Sequence, residues 1–175
     1  FESVGHPEIA TRMEQFELAY RMQFAAPEAF DVTREPKSIQ EAYGLNRNES
    51  KDYGRQCLIA RRLIERGVRF VQVFADVAKT PGGGVNDVPW DAHSDINVNH
   101  RTCAASVDQP TGALLTDLKQ RGLLDETLIL VTSEMGRTPK IGDPRSGGTS
   151  GQGRDHWTHC LTDLLAGGGI RGGQT

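Results

Sequence analysis

Apolar residues recur every three or four positions in the first third of the chain, which is the spacing of one helix face. The pattern predicts a helix from His6 to Ala26, broken by Pro27, and a short helical turn from Ser38 to Tyr43. A stronger apolar stripe with a charged opposite face predicts a helix from Tyr53 to Arg66. Gly67 directly after it is a typical helix stop.

Three further apolar stretches are predicted to be strands or short elements, and one more stripe to be a helix. Val68–Phe74 is rich in β-branched and aromatic residues, and Leu128–Thr132 is a short apolar run, so both are predicted strands. Val107–Arg121 has helical spacing, and Cys160–Ala166 fits either a strand or a short helix. Strands separated by helices favour an α/β fold with a mostly parallel sheet covered on both faces.

Composition and charge narrow the classes of function. The 175 residues are 37% hydrophobic and 25% charged, with a formal net charge of −3, which is typical of one globular domain. We therefore predict no nucleic-acid partner and no membrane span in this chain. Three scattered cysteines without C-x-x-C spacing exclude a zinc-ribbon motif.

The ends of the sequence suggest a piece of a longer protein. The chain opens at Phe1 without an initiator Met and ends soon after a run of glycines, where another element is expected. The domain prediction is one partial domain over residues 1–175. Within it, residues 1–44 are a helical lead-in and residues 45–175 carry the candidate chemistry.

Acidic and histidine side chains follow the predicted strands in three places, where ligands of α/β sheets usually bind. Carboxylate and imidazole groups together suit zinc, manganese or iron, and all-oxygen sets suit magnesium or calcium. If the groups converge, they can hold one metal ion, or two ions that share carboxylates. The candidate ligands are Asp91, His93, Glu134, Asp155 and His156.

Ordinary structural roles remain open for each of these residues. Asp91 and Asp95 can cap the helix that follows them. Glu134 can pair with Arg137, and His156 beside a tryptophan can be a packing residue. A serine nucleophile is a weaker alternative, because no G-x-S-x-G motif surrounds Ser133.

Two arginines near these groups are candidates for substrate binding. A guanidinium can bind two oxygens of a phosphate or sulfate, so Arg137 and Arg154 are predicted to hold a small anionic substrate. Surface arginines without a ligand are the alternative. The glycine runs at 82–84 and 147–148 lack the residues of a phosphate loop and are interpreted as flexible linkers or lids.

Several motifs together resemble the domain-of-unknown-function 1501 family, a bacterial sulfatase-like group assigned to the alkaline phosphatase superfamily. The resemblance covers most of the chain after about residue 43. It is carried by Tyr53-Gly54-Arg55, Trp90-Asp91-x-His93-Ser94-Asp95, Leu123–Leu128, Ser133–Pro139, Gly153–Trp157 and Ala166–Ile170.

The resemblance implies a three-layer α/β/α sandwich with a metal site at the strand ends, here incomplete, and an extracytoplasmic or periplasmic location. The superfamily has Ser-Asp-His-Gly where this chain has Ser133-Glu134-Met135-Gly136, and methionine is a poor ligand for a hard cation. The resemblance also implies a Ser, Thr or modified Cys nucleophile, which has no match here and is expected upstream of Phe1. The expected cofactor is zinc or calcium, as one or two ions.

These observations predict a metal-dependent hydrolase of sulfate or phosphate esters. The alternative is a non-catalytic binding or assembly protein that retains the fold, and Met135 motivates it.

Overall fold

The computed structural model describes residues 7–75, 78–79, 87–93, 95–142 and 152–173. Within them the architecture is mixed α/β, with long helices and short strands. The helices are α1 (Pro7–Phe30), α2 (Lys37–Ala42), α3 (Lys51–Glu65) and α4 (Ile96–Gln120), with 3₁₀ turns at Val32–Arg34 and Leu124–Glu126. No helix in the described part of the chain is long and apolar enough to cross a membrane.

Among the described residues, the strands form three two-stranded ribbons, and all three pairs are antiparallel. The first ribbon joins β1 (Ala78–Lys79) to β2 (Asp87–Val88), and a longer one joins β3 (Leu128–Val131) to β6 (Leu164–Gly167). In the sequence segment between β3 and β6, β4 (Gly136–Arg137) pairs with β5 (His156–Trp157).

The packed core lies between α3 and α4. Helix α3 buries one apolar face because its stripe meets α4 and the segment around Tyr43. Cys57 and Cys103 are both buried, as expected for small apolar side chains. The buried cluster contains Val32, Tyr43, Cys57, Leu58 and Ile59, and Ile39, Leu45, Tyr53, Leu63, Val73, Ala113 and Leu114 pack against it.

A network of buried charges crosses the same core. Arg61 is 2% exposed, and its guanidinium lies 2.7 Å from Glu35, 2.7 Å from Glu65 and 3.0 Å from Asp117. The hydroxyl of Tyr43 donates to Asp117 at 3.0 Å. Each buried charge therefore has an opposite charge within reach, which offsets its cost of desolvation.

Several sequence predictions hold in this part of the molecule. Helices α2 and α3 lie within about two residues of their predicted bounds. Gly67, with φ of +81°, follows α3 as the predicted stop, and Gly122, with φ of +71°, follows α4 in the same way. The predicted strand at Leu128 is β3.

Other predictions were wrong, and the reasons are physical. Helix α1 runs through Pro27 to Phe30 instead of ending at Ala26. Helix α4 begins at Ile96, well before Val107, because Asp95 caps it: the Asp95 side chain accepts a hydrogen bond from the Val98 amide at 3.1 Å.

The predicted sheet also needs correction. Val68–Phe74 joins no strand among the described residues, and Phe70 and Phe74 are exposed. Cys160–Ala166 yields β6, which turns back antiparallel on β3. A mostly parallel sheet inside a three-layer sandwich does not match these antiparallel pairs, because strand pairing is set by long-range partners that local apolar patterns do not specify.

Candidate metal centre

The side chains of Asp91, His93 and His156, here called the Asp91 cluster, meet at one carboxylate oxygen. Asp91 Oδ1 lies 2.7 Å from His93 Nε2 and 2.7 Å from His156 Nε2. One ligand atom from each residue lies within 4.8 Å of the others. The centroids of the two imidazole rings lie 5.2 Å apart, and the ring planes are tilted by 46°.

The Asp91 cluster is built from two segments that are far apart in the sequence. Asp91 and His93 precede α4, where the Asp95 cap fixes the start of the helix. His156 begins β5, and its Cα partner in the ribbon is Arg137 of β4. The β4–β5 ribbon therefore carries the second histidine to the segment before α4.

Arg137 joins these segments. Its guanidinium donates to the carbonyl of Trp90 at 2.8 Å and to the carbonyl of Arg154 at 3.0 Å. It also lies 3.2 Å from Asp91 Oδ1. The Arg137 side chain, 15% exposed, thus holds the strand β4 against both halves of the cluster.

Two glycines permit the close approach of the backbone at this site. A Cβ at Gly153 would lie 1.6 Å from the carbonyl oxygen of His93. A Cβ at Gly136 would lie 1.4 Å from the carbonyl oxygen of Cys160. Beside Gly153, the Ile96 amide donates to the Gln152 carbonyl at 3.3 Å, so the two segments run side by side.

The Asp91 carboxylate is ionised at neutral pH. Its hydrogen bond with His156 lowers its pKa from 3.8 and outweighs the opposing effect of burial. The charge of His93 and a hydrogen bond from Arg137 lower the pKa further. The side chains of Asp91, His93 and His156 are 55%, 33% and 44% exposed. The cluster is therefore a negatively charged oxygen between two imidazoles, open to solvent.

Asp155 lies beside the cluster and not within it. Its Oδ1 is 3.3 Å from His93 Nδ1, on the side of the ring away from Asp91. That Nδ1 is buried and has no well-aligned hydrogen-bond partner among the described residues. Asp155 therefore faces the side of the His93 ring that lies away from Asp91.

Glu134, the other predicted ligand, is exposed in the turn between β3 and β4. It is not among the residues that the described structure brings within ligand distance of one another. The neighbouring Ser133 hydroxyl donates to the carbonyl of Met135 at 3.0 Å. Metal binding by Glu134 stays a prediction.

The predicted substrate arginines both contact backbone carbonyls. Arg137 bonds as described above, and Arg154 donates through Nε to the carbonyl of Thr138. Anion binding by these two arginines stays a prediction. Nearby, His100 of α4 lies with Nε2 3.2 Å from the carbonyl oxygen of Trp90.

Sequence reasoning missed the residues that align the site. Thr138 holds Asp155 from both sides: the Thr138 amide donates to the Asp155 carbonyl at 2.9 Å, and the Asp155 amide donates to Thr138 Oγ1 at 3.1 Å. Gly153 was visible as the first residue of Gly-Arg-Asp-His-Trp, but its close approach to His93 depends on a pairing that the sequence does not show.

The donor set fits a divalent cation. Imidazole nitrogen and carboxylate oxygen are both common zinc ligands, bound about 2.0–2.2 Å from the metal. Three protein ligands leave a fourth position for water or substrate, which is the usual arrangement at catalytic zinc sites. The exposure of the Asp91 cluster is consistent with such an open position.

Comparisons with known proteins give one finding at the level of the family. A family model described as "Protein of unknown function (DUF1501)" matches residues 1–175. No curated protein and no solved structure matches the chain.

Proposed function

We propose that this chain, which belongs to the DUF1501 family, binds a divalent metal ion through Asp91, His93 and His156 and serves the hydrolysis of sulfate or phosphate esters. The observation that carries the proposal is the single carboxylate oxygen of Asp91 placed 2.7 Å from an imidazole nitrogen on each side. The placement among sulfatase-like enzymes of the alkaline phosphatase superfamily is part of the proposal and rests on the motif resemblance.

The donor atoms favour zinc over calcium or magnesium. Calcium takes six to eight oxygen ligands and magnesium an octahedral oxygen shell, whereas imidazole nitrogen suits zinc and its neighbours among the transition metals. The Asp91 cluster offers two nitrogens and one carboxylate. We therefore propose one zinc ion per chain.

The protein side chains supply position and charge. Asp91 stays ionised because its neighbours lower its pKa, and Arg137 holds the loop that carries it. A bound divalent ion polarises an ester oxygen and stabilises the negative charge that develops there. The open side of the cluster gives a small anionic ester access.

Metal binding is tested by calorimetric titration of the metal-free chain with zinc. We expect one ion per chain, a loss of affinity of more than about 100-fold in His156→Ala, and little change in Glu134→Ala, because the latter lies outside the cluster. Equal zinc binding by the wild-type chain and His156→Ala would contradict the proposal. Loss of zinc in Glu134→Ala would return that residue to the ligand set.

Hydrolysis is tested separately on the full-length protein, with aryl sulfate and aryl phosphate substrates in the presence of zinc. The expected result is turnover that a chelator removes and that His156→Ala lacks. Zinc binding without turnover on either ester would contradict the hydrolytic part of the proposal.

A second candidate is a non-catalytic protein that binds metal without chemistry. It is favoured by Met135, which stands where the resembling superfamily has a ligand histidine and whose carbonyl accepts the Ser133 hydroxyl. Restored turnover in Met135→His, with the zinc site intact, would support this reading by showing that one side chain separates the chain from activity. Turnover by the wild-type full-length protein would exclude it.

A further inference from the structure

The ring of His93 lies between two carboxylates, one at each nitrogen. Nε2 faces Asp91 Oδ1 at 2.7 Å, inside the proposed metal centre, and Nδ1 faces Asp155 Oδ1 at 3.3 Å. Since the ligand atoms of the cluster come from Asp91, His93 and His156, Asp155 stands behind a ligand. Its place is that of an outer partner of the metal centre.

A neutral imidazole that binds a metal through Nε2 must carry its proton on Nδ1. Metal-binding histidines almost always donate this second N–H to a carboxylate, a carbonyl or a water. In His93 the Nδ1 atom is buried and has no well-aligned hydrogen-bond partner among the described residues. Asp155 is the acceptor placed to receive it.

The backbone fixes Asp155 in that place. The reciprocal hydrogen bonds with Thr138, at 2.9 and 3.1 Å, hold its amide and its carbonyl. Two residues earlier, Gly153 packs against the carbonyl of His93 at a distance that excludes a side chain. The segment that carries Asp155 is therefore held against the segment that carries His93.

We propose that Asp155 is the positioning residue of His93: it accepts a hydrogen bond from Nδ1–H and holds the ring with Nε2 turned to the metal ion. This inference rests on the metal centre proposed above. It assigns to Asp155 a role different from the direct ligation that the sequence predicts. Outer partners of this kind typically change metal affinity by about 10–100-fold.

His156 provides an internal comparison. Its Nε2 faces the same Asp91 oxygen, but in the described part of the chain no second carboxylate lies within ion-pair distance of its ring. Removal of the Asp155 carboxylate is therefore expected to disturb one ligand histidine and leave the other unchanged.

The test is zinc titration of the full chain, carried out on wild type, Asp155→Asn and Asp155→Ala. Asp108→Asn is the matched control, because Asp108 is an exposed carboxylate on α4 outside the site. We expect Asp155→Ala to lower zinc affinity by about 10–100-fold with one ion still bound. Asp155→Asn, which keeps the shape of the side chain, is expected to have a smaller loss, and Asp108→Asn none.

Nitrogen-15 NMR of the imidazoles in the zinc-loaded chain supplies a second readout. The wild-type spectrum is expected to show His93 protonated on Nδ1, and Asp155→Asn to shift the His93 signals and not those of His156. A purely structural role for Asp155 would lower stability without this selective change.

Each outcome decides between the two proposals. Equal zinc affinity and unchanged His93 signals in both variants would overturn the positioning role and leave the metal centre standing. Complete loss of the ion in both variants, which remain folded, would make Asp155 a ligand. Absence of zinc binding by the wild-type chain would overturn the metal centre and this inference together.

Discussion

The α3–α4 helix pair and the Asp91 cluster handle charged side chains in opposite ways. In the helix pair, Arg61 is 2% exposed and is surrounded by three carboxylates at 2.7 to 3.0 Å. In the cluster, Asp91 is 55% exposed, and one of its oxygens faces both His93 and His156. The helix pair neutralises a buried positive charge with carboxylates, whereas the Asp91 cluster brings potential metal-ligand atoms together at the surface.

The difference indicates what each region contributes. Removing one partner from a buried ion pair costs much stability, and the paired groups are not accessible to a ligand. Exposed ion pairs contribute little to stability, so a group of them is free to exchange partners with a metal ion or substrate. We therefore expect mutations in the helix pair to change the free energy of unfolding, and mutations in the cluster to change metal affinity.

The largest expected effect is that of Arg61→Ala. The change removes the Arg61 guanidinium from the buried carboxylates of Glu35 and Asp117. Arg62 and Arg121 still pair with these carboxylates, so we expect a loss of about 3 kcal/mol in the free energy of unfolding. Urea denaturation measures it. Arg21→Ala is the control, because the Arg21–Glu17 pair is 73% and 61% exposed and its removal is expected to change stability by about 0.5 kcal/mol or less.

The contrast would fail if Arg61→Ala left the stability unchanged. It would also fail if the folded fraction of this variant no longer bound zinc, because zinc binding at the Asp91 cluster would then depend on the helix pair.

Gly153→Ala is expected to lower the free energy of unfolding by less than Arg61→Ala does, and to lower zinc affinity strongly. The new Cβ would lie 1.6 Å from the His93 carbonyl oxygen, so the two backbone segments must separate. We expect a loss of about 1–3 kcal/mol and a weakened zinc site. Titration and denaturation of the same sample measure both.

Gly112→Ala is the matched control for Gly153→Ala. Gly112 lies within α4, and a Cβ there meets nothing within 4 Å. Alanine has the higher helix propensity, so this variant is expected to gain up to about 1 kcal/mol without a change in zinc affinity. A Gly153→Ala chain that binds zinc like Gly112→Ala would show that the close approach is not needed for the site.

Low pH is expected to reduce the free energy of unfolding through protonation of Glu35, which pairs with Arg61 of α3. Burial opposes ionisation of Glu35, but hydrogen bonds from Arg61 and Arg62 outweigh it and lower its pKa below 4.5. A lowered folded pKa means that the stabilisation is present above pH 4.5 and is lost as the pH falls through the folded value. Unfolding free energies measured from pH 7 to pH 3 are expected to fall less steeply in Glu35→Gln, and an equal slope would contradict this.

The helix pair was the more predictable region because its signals are local. The apolar stripe of α3 and the glycine after it define the helix without reference to the rest of the chain. The start of α4 was not predicted because Asp95 could be interpreted either as a neighbour of the metal site or as a helix cap. The structure shows the cap, with a hydrogen bond from the Val98 amide to the Asp95 side chain.

The site was predictable in its residue types and less so in its arrangement. The sequence grouped Asp91 and His93 with His156, and the structure places these three side chains together. Glu134 was expected beside them because a parallel sheet would carry its strand end to the same edge. The observed β3 pairs antiparallel with β6, and Glu134 is exposed in the turn that follows β3.

X-ray absorption at the zinc edge tests the central claim most directly, because it reports the atoms bound to the ion. For the zinc-loaded chain we predict two imidazole nitrogens and oxygen donors at about 2.0–2.2 Å. One imidazole should disappear from the spectrum of His156→Ala and of His93→Ala, and both should remain in Glu134→Ala. A zinc shell without imidazole scattering in the wild-type chain would contradict the account.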